Sequence, residues 1–142
     1  MGITRKTSGG GGGGGTPSAL QAVKIRYDVA IDGGANASTI SLHTFAAGTF
    51  VHSACMVQVA ALVKGAGDPP QLTMGITGPA DLVSATSYNA GSWAAAYAVL
   101  VQSGFYLSAS TDLTIHIDES NDVGVVSGQY DIIIFYFTPA SL

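Results

Sequence analysis

The chain has 142 residues, of which 47% are hydrophobic and only 10% charged, with a formal net charge of −4. Small soluble domains carry about a quarter of their residues as charge, so part of this surface is expected to lie against partners. All five basic residues (Arg5, Lys6, Lys24, Arg26, Lys64) lie at or before Lys64, and seven of the nine acids lie at or after Asp68; this polarity argues against nucleic acid as the main partner, because phosphate binding needs clustered Lys and Arg.

No run approaches the roughly 18–20 apolar residues of a membrane helix, and Met1–Pro17 lacks the apolar segment of a secretory signal. Neither membrane insertion nor conventional export is expected. Cys55 is the one cysteine, so there is no intrachain disulfide, and its place in the apolar run Ala54–Val57 predicts a buried free thiol.

In chain order, residues 1–21 read as a flexible basic arm and 22–142 as a single domain. Seven consecutive glycines, Gly9 to Gly15, bury no side chain and lose the most entropy on ordering. As a coil, the first 20 residues span on the order of 25 Å, which would let Arg5 and Lys6 dock on an acidic neighbour. From Val23 to Ile31 the alternation Val23, Ile25, Tyr27, Val29, Ile31 predicts a half-exposed strand. Asp32-Gly33-Gly34 supplies a tight turn, and Ser38–His43 is expected to return as the second strand of a hairpin.

Phe50–Val63 is long and apolar. Its period of two and its valines favour a strand, with Val51, Cys55, Val57, Val59 and Val63 on one face and Phe50, Met56 and Leu62 on the other. Lys64–Pro70 is a loop. Gln71–Thr77 turns Leu72, Met74 and Ile76 to one side, and Asp81–Asn89 is ambiguous. Trp93–Val101 permits a helix through Ala94–Ala96 but fits a strand better between the turns at Gly91 and Gly104. Phe105–Leu107 leads into a strand at Asp112–Asp118, where Leu113, Ile115 and Ile117 alternate with polar residues.

The last stretch, Gly128–Thr138, is apolar at Tyr130, Ile132 and Ile134 and again at Ile133, Phe135 and Phe137, so both of its faces need cover. It is the expected central strand, with Ile133, Phe135 and Phe137 as candidate core or oligomer-interface residues. Burying its isoleucines and phenylalanines at ~1.5–3 kcal/mol each gives roughly 10 kcal/mol, about the net stability of a whole domain. About eight strands with Gly-rich turns and no convincing helix predict an all-β fold, a β-sandwich or jelly roll of antiparallel strands.

Chemistry is sparse. His43, His52 and His116 are scattered and match no zinc spacing; His116 with Asp118 is the nearest approach to a metal or acid–base pair. The acidic loop Asp118–Asp122 offers oxygens but not the ordered ligand spacing of a calcium loop. No nucleophile elbow, phosphate loop or dinucleotide fingerprint is present, and Asn36-Ala37-Ser38 matches a glycosylation acceptor only formally. No enzymatic activity and no cofactor or metal are expected.

Asp32-Gly33-Gly34-Ala35 with Ser38-Thr39-Ile40, then Met74-Gly75-Ile76 with Gly78-Pro79-Ala80-Asp81-Leu82, are followed by Thr111-Asp112-Leu113-Thr114-Ile115 and Gly128-Gln129-Tyr130-Asp131-Ile132. In this order, over roughly Val23 to Phe137, the sequence resembles the head decoration, or cement, proteins of tailed bacteriophages. The Gly9–Gly15 tract is not part of that pattern. The resemblance implies a sandwich or jelly-roll body, usually a homotrimer, that binds the major capsid protein on the outer surface of the virion where capsid subunits meet and stabilises the shell. Arg5 and Lys6 would then contact capsid. The alternative is a trimeric receptor- or carbohydrate-binding tip of a phage fibre, with Trp93, Tyr88 with Asn89, and Tyr97 as sugar-binding candidates.

Overall fold

The computed structural model describes residues 19–35, 37–67, 69–78, 80–101, 104–117 and 124–138. Over these residues the elements run β1 (Gln21–Asp28), α1 (Val29–Asp32), β2 (Thr39–Phe45), β3 (Phe50–Lys64), β4 (Gln71–Gly75), β5 (Val83–Ser87), α2 (Gly91–Ala94), β6 (Tyr97–Val101), β7 (Phe105–Tyr106), β8 (Thr111–Ile117) and β9 (Val125–Phe137). The strands form two antiparallel sheets, a five-stranded one in the order β1-β9-β3-β6 with β7 also on β3, and a four-stranded one in the order β2-β8-β4-β5.

The pairs are nested around the connection between β4 and β5. β4 pairs with β5, β3 with β6 and β7, β2 with β8, and β1 with β9. One long antiparallel ribbon therefore wraps across both sheets, which is the jelly-roll arrangement. Because β6 and β7 both pair with β3, they share one edge position, and the expected count of about eight strands holds in this sense.

The core lies between the sheets. Tyr130, Ile132 and Ile134 of β9 and Met56 of β3 face Leu113, Ile115 and Ile117 of β8 and Leu72 and Met74 of β4, and all are buried. Each contributes about 1.5–3 kcal/mol through removal of apolar area from water. Trp93 is fully enclosed, donating its Nε1–H to Leu72 O at 3.4 Å, with the Tyr130 ring edge-on at 5.4 Å. As expected, β9 is central, flanked by β1 and β3.

Several elements differ from the expectation. The first strand ends at Asp28, because that side chain accepts from Ala30 N at 2.9 Å while Asp32 accepts from Asp28 N at 2.8 Å. This reciprocal cap starts a helical turn, so Val29 belongs to α1 and Ile31 is left 82% exposed. β1 and β2 are not a hairpin, since they lie in different sheets. Gly33, at φ 97°, bends the chain away, and Gly34 passes so close to β9 that a Cβ would sit 2.3 Å from Val125 O; only glycine fits this crossing.

β3 is the expected long strand, but its faces are not those of a simple alternation. The register shifts between Val51 and Ser53, and one extra residue in a strand exchanges its faces beyond that point. Val51 is buried before the bulge, and Ala54, Met56 and Leu62 after it. Cys55, expected buried, is therefore half-buried on the outer face. The ambiguous stretch 81–89 contains β5, and the stretch expected as a strand from Trp93 divides into α2 and β6.

Candidate functional site

The inner faces of both sheets are apolar, as a sandwich requires; the outer faces differ. Directly opposed residues of neighbouring strands share a face, so the outer surface of the five-stranded sheet can be read in rows. One row runs Lys24, Ile133, Cys55, Val99, and the next Arg26, Asp131, Val57, Tyr97. On the other side lie Ala22, Phe135 and Ser53, and then an aromatic row of Phe137, Phe50 and Tyr106. Phe50 and Phe137 have ring centroids 6.4 Å apart, and the His52 ring stands edge-on to Phe137 at 6.3 Å.

Large apolar side chains on this sheet meet water. Among the described residues the exposed large hydrophobics are Ile31, Phe50, Val59, Val63, Tyr97, Val99, Tyr106 and Val126. All but Ile31 belong to β3, β6, β7 or β9 of the five-stranded sheet. Tyr97 is 58% and Val99 50% exposed, on the edge strand β6. Ile133, Phe135 and Phe137 are half-buried beside them. The charged groups of this face gather at the β1 side, where Arg26 donates to both carboxylate oxygens of Asp131 at 2.7 and 3.0 Å. That bidentate bond holds the Asp131 carboxyl below its usual pKa. The hydrogen bond with Cys55 raises the Tyr97 hydroxyl above its usual value.

The outer face of the four-stranded sheet is hydroxylic. Thr39 Oγ1 meets His116 Nδ1 at 2.9 Å, and Asp112 accepts from Ser41 Oγ at 3.1 Å and Thr44 Oγ1 at 2.6 Å. These two hydrogen bonds lower the Asp112 pKa. Thr73, opposite His116, has a buried Oγ1 without a partner. Apart from Thr73, these groups satisfy one another and require no protein cover.

Of the residues singled out in the sequence, Ile133, Phe135 and Phe137 lie together on the outer apolar face rather than in the sandwich core, which their even-numbered neighbours fill. Arg5 and Lys6 lie outside the described residues, as do the glycine tract, Asn36 and the acidic loop Asp118–Asp122. His116 thus stands with Thr39 and not with a described acid, and no metal-binding cluster occurs among the described residues. Trp93 cannot be a sugar platform, because it is fully buried. It does, however, line a cleft with Tyr88 and Asn89, together with Gln58, Ala61, Leu62 and Ala94. Tyr97 stands apart from that cleft on the outer face.

Two solved structures share this architecture. A chain of the acidic stable capsid structure of Helicobacter pylori bacteriophage KHP30 superposes with a TM-score of 0.60 at 12% identity, covering 89% of this chain and 94% of its own. A chain of the cyanophage Pam1 capsid asymmetric unit superposes with a TM-score of 0.61 at 16% identity, covering 95% of this chain and 94% of its own. At such identities the likeness establishes the fold, over nearly the whole length of both partners. No protein-family model matches the chain, and no curated protein matches it.

The residues that sequence reading missed on the apolar face are Val99, Tyr106 and Val126; the sequence pattern groups Val59 and Val63 with Cys55 and Val57 on one face of the long strand. What separates Val51 from Cys55 and Val57 is the bulge at His52, and further register shifts follow between Gln58 and Lys64; no local pattern marks them. For Val99 the signal was the alternation of Tyr97 and Val99 once the preceding Gly91–Ala94 is taken as a helical turn.

Proposed function

We propose that this protein is a structural component of a bacteriophage virion, a decoration or cement protein on the outer surface of the head. It forms a homotrimer through the apolar outer face of the five-stranded sheet, with Ile133, Phe135 and Phe137 inside the contact, and binds the major capsid protein where capsid subunits meet. Arg5 and Lys6, on their glycine arm, hold a neighbouring capsid subunit. The role is mechanical and calls for no catalysis and no cofactor.

The observation that carries this reading is the segregation of exposed apolar side chains onto one sheet. Contiguous apolar surface of this kind is characteristic of an interface. The face is also extended: three strand positions, β9, β3 and the edge shared by β6 and β7, about 4.8 Å apart and some eight residues at about 3.3 Å each give roughly 380 Å² in plan, about half of the ~800 Å² that each partner buries in a standard stable interface. The shared fold of chains in two phage capsids supports the virion setting.

The test is the solution mass of the purified full chain, followed by co-sedimentation with empty capsids of the same virus. A trimer that pellets saturably with capsids is expected, and deletion of residues 2–16 should weaken pelleting while leaving the trimer intact. A monomer that does not pellet overturns the proposal, and full-strength decoration by the truncated chain removes the arm from it.

A further inference from the structure

The cleft lined by Gln58, Ala61, Leu62, Tyr88, Asn89, Trp93 and Ala94 has a volume of about 180 Å³. It lies at the rim of the sandwich, between the later part of β3, the turn after β5, and α2. Gln58 and Val57 project from opposite sides of β3, as successive strand residues do, so the Gln58 amide is turned away from the Val57 side of the strand.

Its polar groups are arranged in advance of any ligand. Gln58 Nε2 donates to Trp93 O at 3.1 Å and to Tyr130 OH at 3.2 Å, and Tyr130 OH itself donates to Trp93 O. A backbone carbonyl only accepts, so the nitrogen of the amide must be the atom turned inward. Both of its hydrogens are thereby used, the amide plane is fixed, and Oε1 is left as an acceptor. Among the described residues the buried side-chain polar atom without a partner is Thr73 Oγ1, so Gln58 Oε1 is reached from solvent. Asn89 Oδ1 accepts from Ser87 Oγ at 3.0 Å, which leaves the hydrogens of its NH2 group as donors. Tyr88 supplies an aromatic wall, and Ala61, Leu62 and Ala94 supply methyl groups.

This combination selects a ligand chemistry. No Asp, Glu, Lys, Arg or His lines the cleft, so nothing compensates an ion. A purely apolar guest that covered the Gln58 acceptor would leave it unsatisfied, at about 1–3 kcal/mol. A ring with a C–H face for Tyr88 and hydroxyls that both donate and accept satisfies every group. The volume falls below the roughly 300–1,000 Å³ of pockets for larger ligands, which limits the guest to about one such ring.

We infer that this cleft binds a single neutral hexose residue, either a free sugar or the terminal residue of a glycan, with Gln58 and Asn89 as its hydrogen-bonding partners. The site is separate from the assembly face and does not depend on it.

The experiment is a titration of the full chain, followed through the side-chain amide resonances of Gln58 and Asn89, with D-glucose, D-galactose and D-mannose in the millimolar range. An array of glycans ending in the same sugars is run in parallel. Asn89→Ala removes the exposed donor, and Ala61→Trp fills the cleft from an exposed position. Saturable shifts with one free hexose, weakened at least about tenfold in Asn89→Ala and lost in Ala61→Trp, establish a free-sugar site. Binding on the array alone, with the same dependence on both variants, establishes a glycan-end site. The inference is overturned by no saturation with any of the three sugars and no array signal, and equally by binding that persists in Ala61→Trp. Solution mass and capsid pelleting of Asn89→Ala, a change beyond β5 of the other sheet, are expected to be unchanged and separate failure here from failure of the capsid reading.

Discussion

The two outer faces of this sandwich have the same strand geometry and opposite chemistry. On the four-stranded sheet, Thr39, Ser41, Thr44, Asp112, Thr114 and His116 form a surface whose hydroxyls bond across strands. On the five-stranded sheet, Phe50, Val57, Val99, Ile133, Phe135 and Phe137 occupy the equivalent positions. Both inner faces are equally apolar, so the fold alone did not require the difference. A domain that stood alone in water would gain from hydroxyls on both sides. The retention of valine, isoleucine and phenylalanine on one side is what assembly through that side would require.

The largest expected effect on the stability of the domain separates inside from outside along one strand. Ile134→Ala, at a fully buried site, should cost about 2–5 kcal/mol in denaturant unfolding. Phe135→Ala, one residue away on the outer face, should cost the isolated domain much less and act mainly on association. Equal losses of domain stability at the two positions would erase the distinction between core and interface.

A charge placed on each outer face tests the comparison directly. Phe135→Asp, opposite Ala22 and Ser53, buries an unpaired carboxylate if the face is covered, a penalty of about 3–5 kcal/mol, so self-association measured by sedimentation should weaken by a hundredfold or more. Thr114→Asp on the hydroxylic face should leave the solution mass unchanged. The reverse pattern would exchange the roles of the sheets.

A gain is expected on the hydroxylic side. Thr73→Val replaces an orphaned buried hydroxyl with a methyl group of the same shape, which should stabilise the domain by about 1 kcal/mol and raise Tm by a few degrees. A fall in Tm would mean that Thr73 Oγ1 has a partner in solution.

The smallest effect is in acid. Asp131 and Asp112 both titrate below their usual range, through Arg26 and through the Thr44 and Ser41 hydroxyls respectively. A carboxylate with a depressed folded-state pKa adds stability above its unfolded value of about 3.9 and loses it as pH falls through the folded value. Stability should therefore decline below about pH 4, and Asp131→Asn and Asp112→Asn should each flatten that decline slightly. Because both sites are near the surface, solvent screening keeps the change small. An acid limb identical in wild type and both variants would assign it to other groups.

Much of this was legible in the sequence, for a physical reason: a period of two along a strand is a local property. The alternation in Thr111–Ile117 and the doubly apolar run Tyr130–Phe137 sufficed to predict a sandwich with a central last strand, and to set Ile133, Phe135 and Phe137 apart. Other features arise from contacts between residues distant in the chain, and only the tertiary structure decided them. The bulge at His52 put Val51 and Cys55 on opposite faces of β3, and further register shifts follow between Gln58 and Lys64. The Asp28–Asp32 cap and the passage of Gly34 against Val125 sent β2 to the other sheet instead of into a hairpin. Trp93 was buried against Tyr130, while Gln58 was drawn beside Tyr88 and Asn89. Nested pairing joins residues as far apart as Gln21 and Tyr136, and no local pattern carries the partner of a strand more than a hundred residues away.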